Sequence, residues 1–380
     1  MVNFIQNLAA IHGKRYGETL RKIVQEKTPS VIFFVDDDWA AAENAVTQLR
    51  KAGINLLAVY VLREDFLARK LDYVTVLPVS NVEGNPLGAK VAFMRAGFWE
   101  DCFGQLFERE GIIVQKLEDT KYGEEQYNGL MAQLPQFYQA YSLLGDEESR
   151  AVFRAAMLAR VTLRNGDYRF APEAQYFLPG FFPQKGDIVI DGGAYDGSTA
   201  RDFSRLRAKV FAFEMDQANY QKCIQVAEKE HFVIENMGLG QAECDAFYQS
   251  SSVASSRCVS GTNRAHFIDI DTYVCKADLP RIDYIKLDVE GAELDTLKGA
   301  ARSIGLWKPR MAISAYHKPE DLWSLIIYIH SLRPDYEFAF RHYRIDVHDY
   351  MLNDMQRQLM LSYGLDLFIS DACEMVLYCR

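Results

Sequence analysis

Two acidic residues, Asp191 and Glu214, end neighbouring apolar runs, where their carboxylates could bind a ligand. In KGDIVIDGGAYDGSTARDF, residues 185–203, Asp191 ends an apolar run, and Gly192 and Gly193 follow in a loop leading into a helix. Glu214 ends the next apolar run, 23 residues after Asp191. A carboxylate at that place accepts hydrogen bonds from the hydroxyls of a ribose. The pattern therefore predicts a ligand that contains a nucleoside.

The loop after Asp191 discriminates among such ligands. It reads DGGAYDG, with bulky Tyr195 and charged Asp196 before Gly197, and it lacks the GxGxxG spacing of dinucleotide sites. Both side chains disfavour a pyrophosphate. S-adenosylmethionine has two positive charges, which acids tolerate, and one carboxylate, which can face backbone N–H groups at the helix start. We therefore predict S-adenosylmethionine as the cofactor; a glycine-rich turn that binds no ligand is the alternative.

Further cofactor contacts are predicted at the ends of the next strands. Met215 directly follows Glu214, and Asn236 and Met237 follow the third apolar run. Asn236 and Met237 are candidates for the polar edge and the face of the adenine, a placement based on strand order. The complete predicted cofactor site is Asp191, Gly192, Gly193, Tyr195, Gly197, Glu214, Met215, Asn236, Met237 and Asp288.

Candidate catalytic residues follow two later apolar runs. Asp288 and Glu290 come at the end of IDYIKLDVEG, and His317 follows MAISAY. Transfer to a hydroxyl requires removal of its proton, and histidine titrates nearest to neutral pH. His317 is therefore the first candidate for the base, with Asp288 as runner-up, unless these residues only cap a helix, pair with Lys286 or serve packing. The substrate-side candidates are Tyr316, His342 and Tyr343.

These segments together resemble the FkbM-type methyltransferase family. The resemblance covers residues 171–380, and KLDVEGAE is its most specific part, beside DGGAYDGST, VFAFEMDQANY and PRMAISAYHKPEDL. It implies a class I S-adenosylmethionine-dependent fold and methyl transfer, often to a hydroxyl. It also implies that Asp191 and Gly193 belong to the cofactor loop, that Glu214 is the ribose acid, and that Asp288 to Glu293 form the signature block.

Alternating strands and helices must position these residues. The second half contains DIVID, KVFAFE, FVIEN, DYIKLDV and RMAISAY, separated by helices or longer loops as parallel strands require, and YEFAFRHY and EMVLYC, which could close the sheet as an antiparallel pair. This predicts a doubly wound, Rossmann-like α/β sheet with ligands outside the carboxyl ends of the strands.

The first half shows a similar βαβ pattern. SVIFFV, INLLAVYVL, DYVTVLPVS, KVAFMRAGF and GIIVQKL are strand candidates. Asp36, Asp37 and Asp38 stand where a dinucleotide site needs glycines, and we interpret them as a solvated loop and helix cap. We predict an N-terminal Rossmann-like accessory domain at 1–125, a helical connector at 126–170 and a class I methyltransferase domain at 171–380.

Composition limits the location and the partners of the chain. Its 380 residues are 49% apolar and carry a net charge of −10, which disfavours a nucleic-acid or anionic-membrane surface. The seven cysteines contain no CxxC pair and the seven histidines no HExxH spacing. We therefore expect a reduced cytoplasmic protein without a bound metal.

These observations predict a methyltransferase that acts on oxygen, with a carbohydrate or related hydroxyl-bearing small molecule as acceptor. Two alternatives stay open: a binding or scaffold protein that keeps the cofactor pocket without turnover, and a nicotinamide-dependent oxidoreductase. The N-terminal half could recognise a partner, orient the acceptor or form a homodimer.

Overall fold

A computed structural model describes the chain at residues 21–34, 39–62, 64–71, 74–94, 98–116, 128–162, 167–250, 255–258, 263–346, 358, 360–365, 368–369 and 374–380. The interpretation of Asp36, Asp37 and Asp38 lies outside these residues. The strands are β1 (Ser30–Phe34), β2 (Leu56–Val61), β3 (Thr75–Pro78), β4 (Val91–Met94), β5 (Ile113–Lys116), β6 (Ile188–Gly192), β7 (Lys209–Phe213), β8 (Val233–Glu235), β9 (Gly238–Leu239), β10 (Cys244–Ser250), β11 (Ser255–Cys258), β12 (Asn263–Ile268), β13 (Tyr284–Leu287), β14 (Arg310–Ser314), β15 (Phe338–His342), β16 (Ile345–Asp346), β17 (Phe368–Ile369) and β18 (Met375–Cys379). The helices are α1 (Trp39–Lys51), α2 (Phe98–Arg109), α3 (Leu134–Leu143), α4 (Glu147–Thr162), α5 (Ser198–Arg205), α6 (Gln217–Glu230), α7 (Ile270–Lys276), α8 (Glu293–Lys298), α9 (Ala301–Trp307) and α10 (Asp321–Leu332).

A five-stranded parallel sheet forms the core of the first of two compact units. Its strand order is β3-β2-β1-β4-β5. Side chains alternate along β1: Val31 and Phe33 pack into one hydrophobic cluster, and Ile32 and Phe34 pack into another that includes Trp39 of α1. Burial on both faces explains why the central strand is a continuous apolar run. The predicted N-terminal Rossmann-like sheet is confirmed.

A seven-stranded mixed sheet forms the core of the second unit. Its order is β15-β18-β14-β13-β6-β7-β8, and β18 runs antiparallel to both of its neighbours. The predicted doubly wound sheet with an antiparallel final strand is therefore confirmed. A smaller sheet of order β11-β10-β12-β9 belongs to the same unit.

The middle of the large sheet contains its topological switch point. β6 pairs with β13 on one side and with β7 on the other, and Gly192 at the end of β6 lies beside Leu287 at the end of β13. The chain leaves these neighbouring strands toward different parts of the sheet, which opens a crevice at their carboxyl ends. The loops that follow β6, β7 and β13 therefore meet at one place.

The two units do not follow the chain in simple order. The first comprises 1–133, 154–169 and 344–372, and the second 134–153, 170–343 and 373–380. Residues of the predicted connector thus divide between the units, and α3 packs against α10 within the second unit. The predicted methyltransferase segment 171–380 contains a stretch, 344–372, that belongs to the first unit. No helix in the described part of the chain is long and apolar enough to cross a membrane.

Candidate cofactor and acceptor site

The glycine loop after β6 lies directly on the backbone that follows β13. Gly193 has a φ of +76°, and a Cβ atom built on it would lie 1.8 Å from the carbonyl oxygen of Asp288. The N–H of Asp288 donates to the carbonyl of Gly192 at 3.0 Å. Glycine is required here both by the positive φ and by this close approach. The contact holds the predicted cofactor loop against the predicted catalytic segment.

A buried ion pair between Lys286 of β13 and Asp191 of β6 holds the loop in place. Nζ of Lys286 lies 3.1 Å from Oδ1 of Asp191 and donates to the carbonyl of Gly193 at 2.6 Å. Both side chains are buried. Burial raises the pKa of Asp191, and the charge of Lys286 opposes that rise. Because Asp191 is fully enclosed, its role in the described structure is to fix the loop through Lys286.

Glu214 organises the same loop from the end of β7. Its Oε2 accepts the N–H of Tyr195 at 2.9 Å, and its Oε1 accepts the N–H of Asp216 at 2.8 Å. The side chain is buried, which raises the pKa of Glu214, while the two backbone hydrogen bonds lower it. Each carboxylate oxygen has a second lone pair, so Glu214 can also accept from ribose hydroxyls.

The other predicted cofactor residues surround Glu214 and the start of α5. Nδ2 of Asn236 donates to the carbonyl of Glu214 at 2.9 Å, so this amide also fixes the end of β7. Met215 and Met237 are half-buried beside these groups in sequence. Gly197, with φ +81°, is the N-cap residue of α5. The structure thus brings the predicted cofactor residues to the ends of β6, β7 and β8.

Asp288 stands where β13 ends and accepts hydrogen bonds from two tyrosines. The hydroxyl of Tyr176 donates to Oδ2 at 3.0 Å, and that of Tyr316 donates to Oδ1 at 3.3 Å. Burial would raise the pKa of Asp288, but the charges of Lys286 and His317 and the hydrogen bonds from Ser314 and Tyr176 lower it overall. Asp288 is therefore a carboxylate fixed between the hydroxyls of two aromatic side chains.

His317 lies at the centre of a group of carboxylates. Its Nε2 is 3.4 Å from Oε2 of Glu290 and 3.6 Å from Oδ1 of Asp288, and its Nδ1 is 2.9 Å from Oε1 of Glu293. Burial lowers the pKa of His317, but these carboxylates, Glu293 first, raise it to about 9. Burial also raises the pKa of Glu290 to about 7. We call Asp288, Glu290, Glu293 and His317 the His317 cluster.

A turn after β13 builds this cluster from one short stretch of chain. β13 ends at Leu287, Glu290 has φ +53° and Gly291 has φ +91°. This left-handed turn brings Glu293, the first residue of α8, back so that its Oε1 accepts the N–H of Val289 at 2.9 Å. Three carboxylates separated by at most five positions can therefore face one imidazole.

Two predicted substrate-side residues are enclosed in the sheet instead. His342, in β15, is 1% exposed, and its ring centroid lies 4.5 Å from that of Phe170. Tyr343 is 4% exposed, and its hydroxyl lies 2.7 Å from that of Tyr378. An acceptor would have to displace packed side chains to touch either residue. Tyr316, by contrast, contacts Asp288 directly.

Several residues at the site have no predicted role in the sequence analysis above. Tyr176 lies in the segment YFLPGFFP and contacts Asp288 across 112 positions. The sequence suggests Asp288 or Glu290 as the partner of Lys286, whereas in the structure Lys286 pairs with Asp191. Glu293 belongs to the signature block, and this was the available signal for it. Asp321 and Glu374 also interact electrostatically with members of the cluster.

The sheet order, the glycine loop and the acid after β7 together define a class I methyltransferase fold. Residues 191–364 match the model of the Methyltransferase FkbM domain. This segment is therefore similar to the FkbM methyltransferase family, and the resemblance drawn from its motifs is confirmed.

Two individual proteins illustrate the similarity. The chain is 25% identical to the hexuronic acid methyltransferase AglP of Haloferax volcanii over 127 residues, which are 32% of this chain and 53% of that protein. The match thus spans about half the length of this curated relative. The crystal structure of methyltransferase FkbM from Methylobacillus flagellatus KT superposes over 100% of both chains with a TM-score of 0.65 and 19% identity. At this identity the second comparison shows the fold.

Proposed function

We propose that this protein is an S-adenosylmethionine-dependent methyltransferase that methylates an oxygen of a carbohydrate or related metabolite. The observation that carries the proposal is the contact between the Gly192–Gly193 loop and the backbone at Asp288. It joins a candidate nucleoside site, marked by Glu214, to a group of carboxylates suited to proton transfer.

The residues present fit the proposed cofactor. Gly193 lets the loop lie directly on the backbone at Asp288, and the N–H of Tyr195 donates to Glu214, so the loop, the acid after β7 and the end of β13 lie together where the cofactor is expected. Glu214 would bind the ribose hydroxyls, and Asn236 and Met237 would lie by the adenine. When bound, the cofactor supplies a methyl group on a positively charged sulfur, an intrinsically activated donor.

The protein's own contribution is to hold the acceptor and receive its proton. Of the His317 cluster, Glu290 and Asp288 have side chains 32% and 24% exposed, whereas that of His317 is 10% exposed. We therefore assign proton acceptance to Glu290 or Asp288, the carboxylates an acceptor can reach, and an electrostatic role to His317. Tyr176 and Tyr316 would keep Asp288 in a fixed orientation.

Two observations support the proposed acceptor class: the similarity to a sugar-modifying methyltransferase and the net charge of the chain. A protein with 25% identity over part of the chain is a hexuronic acid methyltransferase. The net charge of −10 disfavours polyanionic acceptors such as nucleic acids. A hydroxyl-bearing sugar or sugar derivative is therefore the acceptor class we propose.

The test is transfer of an isotopically labelled methyl group from S-adenosylmethionine to a panel of monosaccharides, uronic acids and glycans. We expect label on oxygen of at least one sugar, with Glu290→Gln slower by about 10²–10⁴-fold if Glu290 receives the proton. Glu228→Gln makes the same chemical change on the exposed side of α6 and serves as the control. Label found only in nucleic acid or protein amides would contradict the proposal.

A further inference from the structure

Glu293 is a buried member of the His317 cluster to which the proposed methyl transfer assigns no role. Its side chain is 0% exposed. Oε1 accepts from Val289, but Oε2 has no hydrogen-bond partner among the described residues. A buried carboxylate oxygen without a donor is costly, because the water that would solvate it has been removed. The arrangement favours a positive ligand at this oxygen.

His317 is incompletely satisfied in the same place. Its side chain is 10% exposed, and within the described part of the chain neither ring nitrogen makes a hydrogen bond of normal geometry. The nitrogens nevertheless face Glu293 at 2.9 Å and Asp288 at 3.6 Å. Histidine is a common metal ligand, and a metal-binding imidazole often has a carboxylate beside its other ring nitrogen.

We propose that Asp288, Glu293 and His317 bind a divalent transition-metal ion of the Mn²⁺ or Zn²⁺ type. One ligand atom from each residue lies within 4.8 Å of the other two. Ligands bound at about 2.0–2.2 Å from one ion lie at most about 4.4 Å apart, so a small contraction of the side chains completes the site. The mixed nitrogen and oxygen donors favour these ions over Ca²⁺ or Mg²⁺, which prefer oxygen alone.

The charges around the site support a cation. Lys286 is already paired with Asp191 and with the carbonyls of the glycine loop. The ammonium group of Lys318 lowers the pKa of Asp321. Carboxylates outnumber these cations in a largely enclosed region, so a divalent ion would relieve their repulsion. The acids concerned are Asp288, Glu290, Glu293, Asp321 and Glu374.

The proposed ion would deepen the function proposed above, with which it shares Asp288 and His317. Three protein ligands leave coordination positions open for water or an acceptor oxygen. An acceptor hydroxyl bound there loses its proton more readily, and Glu290, 3.4 Å from Nε2 of His317, is placed to receive it. The spacing of the histidines predicted no metal site, since these ligands come from two separate segments of the chain.

The test uses the full chain, freed of metal by chelation and titrated with Mn²⁺. We expect saturable binding of one ion per chain and, in pulsed electron paramagnetic resonance, coupling to an imidazole nitrogen. Glu293→Gln and His317→Gln should each weaken Mn²⁺ binding by about 10–100-fold. His266→Gln is the matched control, because His266 also faces two acids, Asp245 and Glu243, at 3.0 and 3.1 Å on an exposed sheet.

The wild-type titration decides the proposal even if a variant does not fold. Absence of saturable Mn²⁺ and Zn²⁺ binding, or Mn²⁺ binding without nitrogen coupling, would overturn it. So would loss of binding in His266→Gln with binding retained in His317→Gln. A parallel titration with S-adenosylhomocysteine, with and without Mn²⁺, separates this inference from the proposed function, because either ligand can bind when the other does not.

Discussion

Glu214 shapes the loop after β6 by accepting two backbone hydrogen bonds, and in the proposed function the same carboxylate binds the ribose. Glu214→Gln would place an amide NH₂ against the N–H of either Tyr195 or Asp216, where the carboxylate now accepts. We expect S-adenosylhomocysteine binding to weaken by about 1–3 kcal/mol, the range for a lost charge-assisted hydrogen bond. Calorimetric titration measures this directly.

The control for this substitution is Glu228→Gln, on the exposed side of α6. It should leave the dissociation constant unchanged. If Glu214→Gln also binds S-adenosylhomocysteine with wild-type affinity, the ribose does not lie at Glu214. The assignment of this residue, at the end of β7, as the ribose acid would then be wrong.

At the same scale, sequence reasoning could place Asp288, Glu290 and His317 but not the arrangement around them. Their positions after apolar runs predicted the carboxyl ends of neighbouring strands. The return of Glu293 to His317 depends on a left-handed backbone at Glu290, which is not a glycine. The hydrogen bond from Tyr176 spans 112 positions. Neither follows from local residue types, because both arise from tertiary packing.

At the level of elements, the contact of the β6 loop with the end of β13 makes a steric prediction. Gly193→Ala would drive a Cβ atom into the backbone at Asp288. We expect a loss of about 3 kcal/mol or more in the free energy of unfolding, measured by urea denaturation, together with loss of cofactor binding.

Gly186→Ala isolates the steric part of this effect. Gly186 also has a positive φ, +88°, but nothing lies within 4 Å of its added Cβ. It should cost only about 1–2 kcal/mol, the penalty for a left-handed backbone. Equal losses in the two variants would show that the close approach at Asp288 does not matter.

The buried pair that joins β6 to β13 makes a second prediction for the elements. Lys286→Met would leave the Asp191 carboxylate enclosed without its cation, which should destabilise the protein by about 3–5 kcal/mol. The double variant Asp191→Asn/Lys286→Met removes both charges and should recover part of this loss. Thermal unfolding of the wild type, Lys286→Met, Asp191→Asn and the double variant tests the coupling; additive losses of the two single variants would contradict it.

For the molecule as a whole, both sheets could be predicted because buried parallel strands are continuous apolar runs separated by helices. Which segments of the chain belong to each unit could not be predicted from the sequence. Met360 and Leu365, late in the chain, pack into the cluster that contains Val31 and Phe33. Residues 344–372 thereby join the first unit, and 134–153 join the second. Periodicity reports which face of an element is buried, but not which distant segment buries it.

At the level of the whole protein, we propose that the Rossmann-like second unit binds S-adenosylmethionine. The most direct measurement is a calorimetric titration of the full chain with S-adenosylhomocysteine, run beside an identical titration with NADH. We predict saturable binding of S-adenosylhomocysteine and none of NADH, because Tyr195 and Asp196 disfavour a pyrophosphate in the loop. Binding of NADH, or of neither ligand, would contradict it.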